Sequence, residues 1–411
     1  VKQRQQRRQG EQDGKRDHRA AQPARETVPQ PFAKGRGLFL PVSPPAFPAG
    51  RFRGFPSGGQ GVDRPVGAPD RPQRVDRRFL GNKEFSRNRN ARRDVFALDP
   101  DAVTGHREAM SNSAFASILS ARAAQVEAFL DEALCAVALE GEIVRPDHLM
   151  AAIRHGVLNG GKRFRPFLVM ETARVFGAED ARALPVAAAL ECVHCYSLIH
   201  DDLPAMDDDD VRRGQPTVHR AFDEATAILA GDSLLTFAFD LVTDRDNGLS
   251  GDIRADLANL LARAAGFGGM AGGQALDLAA PASKPDGDGV VTLQAMKTGA
   301  LIRFACEAGA VVGGAGKADV GRMRTFGEIV GRAFQLADDL LDVTQTADAM
   351  GKATGKDADA GKATLVSLRG EDWARSELSR LVSEAEQLLA RFGPAGETLS
   401  AAARFVAERQ S

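Results

Sequence analysis

The chain has 411 residues, 43% hydrophobic and 26% charged, which is enough for a sizeable core in one or two domains. Its net charge of -2 hides an asymmetry: residues 1–100 carry 22 Lys and Arg against 10 Asp and Glu, and the other 311 carry 31 against 45. The acidic body argues against nucleic acid as a partner, and four cysteines are too few for a disulfide scaffold. No apolar run suggests a membrane span, so the expected compartment is the cytoplasm.

The first hundred residues hold 12 of the 20 prolines and are rich in Arg, Gln and Gly. Such a composition buries too little apolar surface to offset chain entropy, so it predicts a disordered extension over residues 1–109. A basic tail for nucleic acid or membrane, or a targeting peptide, is an alternative interpretation. A further hypothesis is that Met110, the first methionine, is the true start, and that the preceding residues come from a misassigned start.

From Ser113 onward the pattern changes, because apolar residues recur at steps of three and four, which is typical of a helix with one buried face. Similar runs cover 165–200, 218–243, 253–266, 292–312, 320–343 and 373–392. Period-two alternation is nearly absent. Residues 110–411 are therefore predicted to form one all-α domain of about ten helices, whose sites are built from inward-facing side chains.

An acidic cluster lies in "LIHDDLPAMDDDDVRRG", residues 198–214. Asp201 and Asp202 end an apolar helical run, and Pro204 should stop or kink that helix. The next carboxylates, from Asp207 to Asp210, are then free to fold back toward Asp201. So many like charges in one place require a cation among them.

A second acidic cluster lies in "FQLADDLLDV", where Asp338, Asp339 and Asp342 sit on a strongly helical segment. Asp338 and Asp342 share one helix face, and their apolar neighbours indicate partial burial. Mg²⁺ takes oxygen ligands, usually a few carboxylates together with substrate phosphates and water. Two such clusters in one bundle favour magnesium over the alternatives, an exposed acidic face or helix capping.

Basic and hydroxyl side chains complete the pattern. Arg and Lys suit phosphate oxygens, so carboxylates for a metal together with basic loops predict a diphosphate substrate. The candidates are Lys162, Arg163 and Arg165 in "NGGKRFRP", Arg212 and Arg213 after the first cluster, Lys297 and Thr298 in "MKTGAL", and Lys352, Lys356 and Lys362 in "GKATGKDADAGKAT".

Together these motifs resemble the trans-isoprenyl diphosphate synthases, and most closely their bacterial farnesyl type. The likeness runs from about residue 114 to the C-terminus and includes "GGKRFRP", "SLIHDDLPAMDDDDVRRG", "GDSLL", "GGQALDL", "MKTGALI" and "FQLADDLLD" in order. It implies an isoprenoid-synthase-type helical bundle around a central cavity, usually a homodimer, that works in the cytoplasm. It also implies magnesium, about three ions per site, held between the two acidic motifs.

The resemblance assigns a role to each matching position. It implies metal ligation by Asp201, Asp202, Asp207, Asp338 and Asp342, and catalytic roles for Asp201, Asp202, Asp207, Lys297, Asp338 and Asp339. It implies that isopentenyl diphosphate binds to Gly161, Lys162, Arg165, His194 and Arg213. It implies that the allylic diphosphate binds to Arg212, Lys297, Thr298, Gln335, Lys352 and Lys362, although Lys356 competes with the last two.

Product length depends on Tyr196 and Ser197, which lie about one helical turn before Asp201. A ring at Tyr196 would act as a floor beneath a growing prenyl chain, although a packed core aromatic is the plainer interpretation. The resemblance implies condensation of isopentenyl diphosphate with dimethylallyl and then geranyl diphosphate, giving farnesyl diphosphate. The alternatives are a geranylgeranyl diphosphate synthase, a terpene cyclase and a non-catalytic partner subunit.

Overall fold

The computed structural model describes residues 110–349 and 364–408, and the side chains of 345–349 are not described. The extension 1–109 lies outside these ranges, as do Lys352, Lys356 and Lys362. The helices are α1 (Asn112–Ala133), α2 (Asp147–Val157), α3 (Phe164–Val175), α4 (Asp180–Asp201), α5 (Val218–Ala221), α6 (Glu224–Thr243), α7 (Gly251–Ala265), α8 (Met270–Ser283), α9 (Gly287–Gln294), α10 (Ala300–Val312), α11 (Lys317–Ala349), α12 (Leu365–Arg369), α13 (Glu371–Leu389) and α14 (Glu397–Glu408).

Short segments link several of these helices. There are 3₁₀ turns at Arg245–Asn247 and Ala390–Gly396, and a π-helical turn at Ala295–Gly299 joins α9 to α10. The strands of the described residues are β1 (Val211–Arg212) and β2 (Gln215–Pro216), which pair antiparallel. The predicted all-α class is confirmed.

Helix α1 illustrates how the sequence determines the elements. Phe115, Leu119, Val126 and Leu130 recur at helical spacing and are buried, so a single face of the helix packs on the core. The helix begins after Ser111, whose hydroxyl accepts a hydrogen bond from the amide of residue 114 and satisfies one of the unpaired donors of the first turn.

The core lies where the central helices meet. Helix α4 packs on α3 and α6, and α10 packs on α3 and α11. Helices α4 and α6 are long and apolar enough to cross a membrane by length and composition, but 61% and 44% of their most apolar windows are buried inside the protein. Buried core helices pass the same test, so this finding is weak evidence for a span.

The described residues form fourteen α-helices where the sequence predicted about ten, and two of the differences have a clear physical reason. The run 165–200 is two helices, because the chain turns at Gly177, whose φ of +79° favours glycine. Helix α8 lies in a glycine-rich stretch that was not predicted to be helical. A Cβ on Gly273 would lie 2.2 Å from the backbone nitrogen of Lys297, so glycine here permits close helix packing.

Candidate active site

The first acidic cluster forms at the end of α4. The helix ends at Asp201 as predicted, and the chain then folds back on itself. The amide of Asp207 donates to the carbonyl of Asp201 at 2.9 Å, and that of Asp209 donates to the carbonyl of Asp202 at 3.2 Å. These backbone bonds gather Asp201, Asp202 and Asp207 at one helix end.

The carboxylates of this cluster differ in their charge environment. Burial raises the pKa of Asp201 to about 6; the negative charges of Asp207 and Asp202 add to this, and Lys297 opposes it. Asp202 is 3% exposed, and burial also raises its pKa, against a hydrogen bond from Arg212. Arg212 lies 2.6 Å from the Asp202 carboxylate. Arg212, predicted to bind the allylic diphosphate, is therefore paired with a predicted metal ligand.

The second acidic cluster lies within the continuous helix α11. Asp339 is 4% exposed, and its two oxygens accept hydrogen bonds from Gln294 at 2.8 Å and Gln335 at 3.0 Å. Burial raises its pKa, and the two amides oppose that rise. Asp338 is half-buried and Asp342 is exposed, one helical turn further along. Amide donors thus fix Asp339, and the predicted ligands Asp338 and Asp342 lie on the adjoining face.

The π-helical turn connects the two clusters. Lys297 is close enough to Asp201 to lower the pKa of that carboxyl, and its ammonium lies 2.6 Å from the carboxylate of Asp277. The next residue, Thr298, donates from its hydroxyl to Gln335 at 3.0 Å. Gln335 in turn donates to Asp339. A short path of electrostatic and hydrogen-bond contacts therefore joins acidic groups that are more than a hundred residues apart.

A separate basic region forms around the turn before α3. Gly161 has a φ of +129°, and a Cβ there would lie 2.8 Å from the Arg213 guanidinium carbon. Arg213 donates to Asn159 at 3.3 Å and to the carbonyl of Gly160. Glycine at position 161 therefore allows Arg213 to reach the turn. Two of the residues predicted to hold isopentenyl diphosphate, Gly161 and Arg213, are in contact.

His194 belongs to the same region. Its pKa is lowered well below the usual value, first by burial and then by the positive charges of Arg165 and Arg213. The imidazole is therefore neutral among arginines. The guanidinium of Arg165 lies 5.7 Å from the ring centroid of Phe334, and the Lys162 ammonium lies 5.9 Å from that of Phe405. The predicted anion-binding residues of this region thus converge near α3.

Arg163 does not join this set, which corrects its interpretation as a phosphate ligand. Its side chain is buried and pairs with Glu191 at 2.6 Å. It also donates to the carbonyl of Val157. The left-handed φ of +47° at Arg163 turns this side chain into the core between its exposed neighbour Lys162 and the half-buried Arg165. Its role is structural.

The predicted chain-length residues lie on α4 before Asp201. Tyr196 is half-buried; burial and the nearby Asp201 charge raise the pKa of its phenol. The Ser197 hydroxyl donates to the carbonyl of His194 at 2.8 Å, within its own helix. His200 lies 5.8 Å from the Tyr196 ring and donates to the Ile228 carbonyl at 3.1 Å. Tyr196 therefore stands close to the first acidic cluster.

The sequence interpretation missed three residues near the two clusters. Asp277 pairs with Lys297, and Gln294 donates to Asp339. Gln274 is 9% exposed, and within residues 110–349 and 364–408 neither polar atom of its amide has a hydrogen-bond partner. Gln274 and Asp277 belong to the motif "GGQALDL", which could have indicated them, whereas no local signal marks Gln294.

The acidic side chains themselves indicate how a metal could be held. In residues 110–349 and 364–408, no three His, Cys, Asp or Glu side chains are assembled into a ready metal group. Mg²⁺ commonly takes one or two carboxylates and completes its shell with substrate phosphates and water. The aspartates at the end of α4, crowded and partly buried, fit such a partial site.

Comparison with known proteins identifies the family. The polyprenyl synthetase family matches residues 146–388. The chain belongs to this family. It is 45% identical over 243 residues to farnesyl diphosphate synthase of Escherichia coli, covering 59% of this chain and 81% of that one. It is 40% identical to farnesyl diphosphate synthase of Geobacillus stearothermophilus, covering 69% and 98%. The predicted family and the prediction of a prenyltransferase are confirmed.

Other relatives bear on the product. A chloroplastic geranylgeranyl pyrophosphate synthase of Catharanthus roseus is 38% identical over 278 residues, covering 67% of this chain and 78% of that one. A crystal structure titled FPP/GFPP synthase from Zymomonas mobilis superposes with a TM-score of 0.63 at 39% identity, covering 71% and 98%. These relatives support prenyl chain elongation.

Proposed function

We propose that this enzyme condenses isopentenyl diphosphate head-to-tail with dimethylallyl and then geranyl diphosphate to give farnesyl diphosphate. The observation that carries the proposal is the path from Asp201 through Lys297, Thr298 and Gln335 to Asp339. This path puts hydroxyl, amide and ammonium groups between two carboxylate clusters, which suits one diphosphate held from both sides.

Magnesium fits the first cluster because the positive charge of the neighbouring side chains is not enough to neutralise its carboxylates. Burial and like charges raise the pKa of Asp201, and Arg212 is the cation bound to Asp202. We assign the metal to Asp201, Asp202, Asp207, Asp338 and Asp342. When bound, magnesium would neutralise the charge that develops on the leaving diphosphate.

The chain's own residues bind the two substrates and orient them. Lys297, Thr298 and Gln335 hold the allylic diphosphate, and Arg212 joins them when a metal replaces it at Asp202. Arg213 and Arg165 hold isopentenyl diphosphate beside neutral His194. Fixing both diphosphates brings the isopentenyl double bond close to the allylic carbon, which lowers the entropic part of the barrier.

The product length follows from Tyr196. Its ring stands on α4 about one turn before Asp201, where it would limit a chain that grows away from the diphosphate. A geranylgeranyl product is the second candidate, because relatives with that name are 37–40% identical. A terpene cyclase would not require the second anion region at Gly161 and Arg213.

We also propose a homodimer that works in the cytoplasm. Helix α6 exposes Ile228 and Leu229, at 45% and 55%, next to its packing against α4. Adjacent exposed apolar side chains of this size are typical of an interaction surface. If this face of α6 forms the dimer contact, the Ile228→Glu variant should sediment as a smaller species than the unmodified chain.

The test of the proposed function is product analysis. The purified chain, incubated with isopentenyl and dimethylallyl diphosphates and Mg²⁺, should yield mainly farnesyl chains by mass spectrometry. Tyr196→Ala should lengthen the product, whereas Tyr196→Phe should preserve it. A dominant geranylgeranyl product would favour the second candidate, and the absence of any prenyl condensation would reject both.

A further inference from the structure

A cavity of about 440 Å³ borders the second acidic cluster but is lined by none of the aspartates of either cluster. Its walls come from α9, the π-helical turn, α10, α11, α12 and α13. The helical positions show that it is separate: Thr298 and Gln335 bond to each other beside the clusters, whereas Gly299 and Leu336, one residue further along each segment, line the cavity. Successive residues of a helix point about 100° apart, so the same helices present one face to each region.

Three arginines line this cavity, and two of them already have partners. Arg332 pairs with Glu377 at 3.1 Å, and the Arg369 guanidinium lies 4.8 Å from the Trp373 ring centroid. Half-buried Arg303, by contrast, makes neither a hydrogen bond nor an ion pair within the described part of the chain. A partly desolvated guanidinium without a partner is unfavourable unless an anion completes it.

The remaining walls are mostly apolar. Leu336 and Leu381 are 2% and 1% exposed, and Leu365 and Trp373 lie beside them. The volume falls in the usual range for small-molecule sites, which are lined by apolar side chains with a few placed polar groups. We propose that this cavity is a second ligand site, which takes an organic anion with an apolar or aromatic body and places its acidic group on Arg303.

The cavity has a direct connection to the second acidic cluster. Gln294 lines the cavity, and its amide donates to Asp339 at 2.8 Å. An occupant that moves this amide changes the hydrogen bonding of Asp339 and therefore the neighbouring ligands Asp338 and Asp342. This regulatory part rests on the proposed function. Because coupling between two sites is reciprocal, substrate and metal would change the affinity for the anion by the same factor.

Trp373 makes binding measurable without any substrate, because it is the single tryptophan of the chain and lines the cavity. The probe is 1-anilinonaphthalene-8-sulfonate, which combines an aromatic body with one sulfonate. We expect saturable quenching of tryptophan emission. Arg303→Gln should weaken it by about tenfold or more, the loss expected for a charge-assisted hydrogen bond. Arg303→Lys should retain part of the affinity.

Arg245→Gln, which removes an exposed arginine from the 3₁₀ turn after α6, is the matched control and should leave the affinity unchanged. The second site would be rejected if quenching did not saturate. It would also be rejected if the Arg303→Gln variant bound the probe as tightly as the unmodified chain.

Coupling is tested separately by prenyl turnover with and without the probe. The probe should change the turnover of the unmodified chain severalfold, and Arg303→Gln should abolish that response while keeping basal turnover within about twofold. Arg303-dependent quenching without any prenyl condensation would reject the proposed function and leave the binding site standing. Turnover without Arg303-dependent quenching would reject the site alone.

Discussion

The two acidic clusters are built differently. The first lies where a helix ends and the chain folds back, and its buried member Asp202 is paired with the guanidinium of Arg212. The second lies within the unbroken helix α11, and its buried member Asp339 is held by the neutral amides of Gln294 and Gln335. The buried carboxylate of the first cluster is therefore held by an ion pair, and that of the second cluster by the dipoles of two neutral amides.

This difference has a chemical consequence. A metal held at the first cluster, as proposed, would compete with Arg212 for Asp202, and the released guanidinium would then be available to a phosphate. At the second cluster the amides hold the Asp339 carboxylate in one orientation, beside the proposed ligand Asp338. The first cluster would therefore exchange its ionic partner on metal binding, whereas the second would keep its amide partners.

The largest expected effect comes from removing one carboxylate from each cluster. Asp202→Ala and Asp338→Ala should each lower turnover by about 10³-fold with the fold retained, because each removes a proposed ligand of the magnesium that would stabilise the leaving diphosphate. Steady-state kinetics and circular dichroism test this. Asp210→Ala is the control, since this exposed residue pairs with exposed Arg220 and should change little. Unchanged turnover in either cluster variant would refute the metal assignment.

A smaller effect is expected from the partner of the first cluster. Arg212→Gln should lower kcat/KM for the allylic substrate by about 10²-fold, because it removes a cation that stabilises developing negative charge. Arg220→Gln serves as the matched control. If metal and Arg212 compete for Asp202, the chain with Arg212→Gln should also bind Mg²⁺ in the absence of substrate more tightly than the unmodified chain. Weaker metal binding there would contradict partner exchange.

The partner of the second cluster should matter less. Gln294→Ala should weaken metal affinity by about 10-fold, because it loosens Asp339, which lies beside the proposed ligand Asp338. A Mg²⁺ titration of turnover measures this, with Gln294→Glu as a comparison that places a like charge against Asp339. If the Gln294→Ala variant bound Mg²⁺ as tightly as the unmodified chain, Gln335 alone would be enough to orient Asp339.

The contrast also explains what could be predicted from the sequence. Three features are local, so sequence pattern was enough to predict them: the end of α4 before Pro204, the return of Asp207 toward Asp201, and the shared face of Asp338 and Asp342. The pairing of Arg163 with Glu191 and of Gln294 with Asp339 joins residues 28 and 45 positions apart. Such partners depend on helix packing, which no local pattern specifies.

The smallest expected effect is a pH dependence specific to the first cluster. Burial and the charges of Asp207 and Asp202 raise the pKa of Asp201 to about 6. The carboxyl is therefore mostly ionised at pH 7 and mostly protonated at pH 5, where protons compete with metal. The Mg²⁺ concentration for half-maximal turnover should rise by about tenfold from pH 7 to pH 5.

Protonation of the substrate diphosphate would give a similar trend, so a variant must separate the two causes. Asp207→Asn removes a negative charge that raises the pKa of Asp201, and should move the midpoint of the metal dependence to lower pH. Lys297→Met removes a positive charge that lowers it, and should move the midpoint to higher pH. If protonation of the substrate diphosphate caused the pH dependence, neither variant would shift the midpoint of the metal dependence. If the midpoint shifts in opposite directions in the two variants, the pH dependence is caused by Asp201, in the cluster at the end of α4.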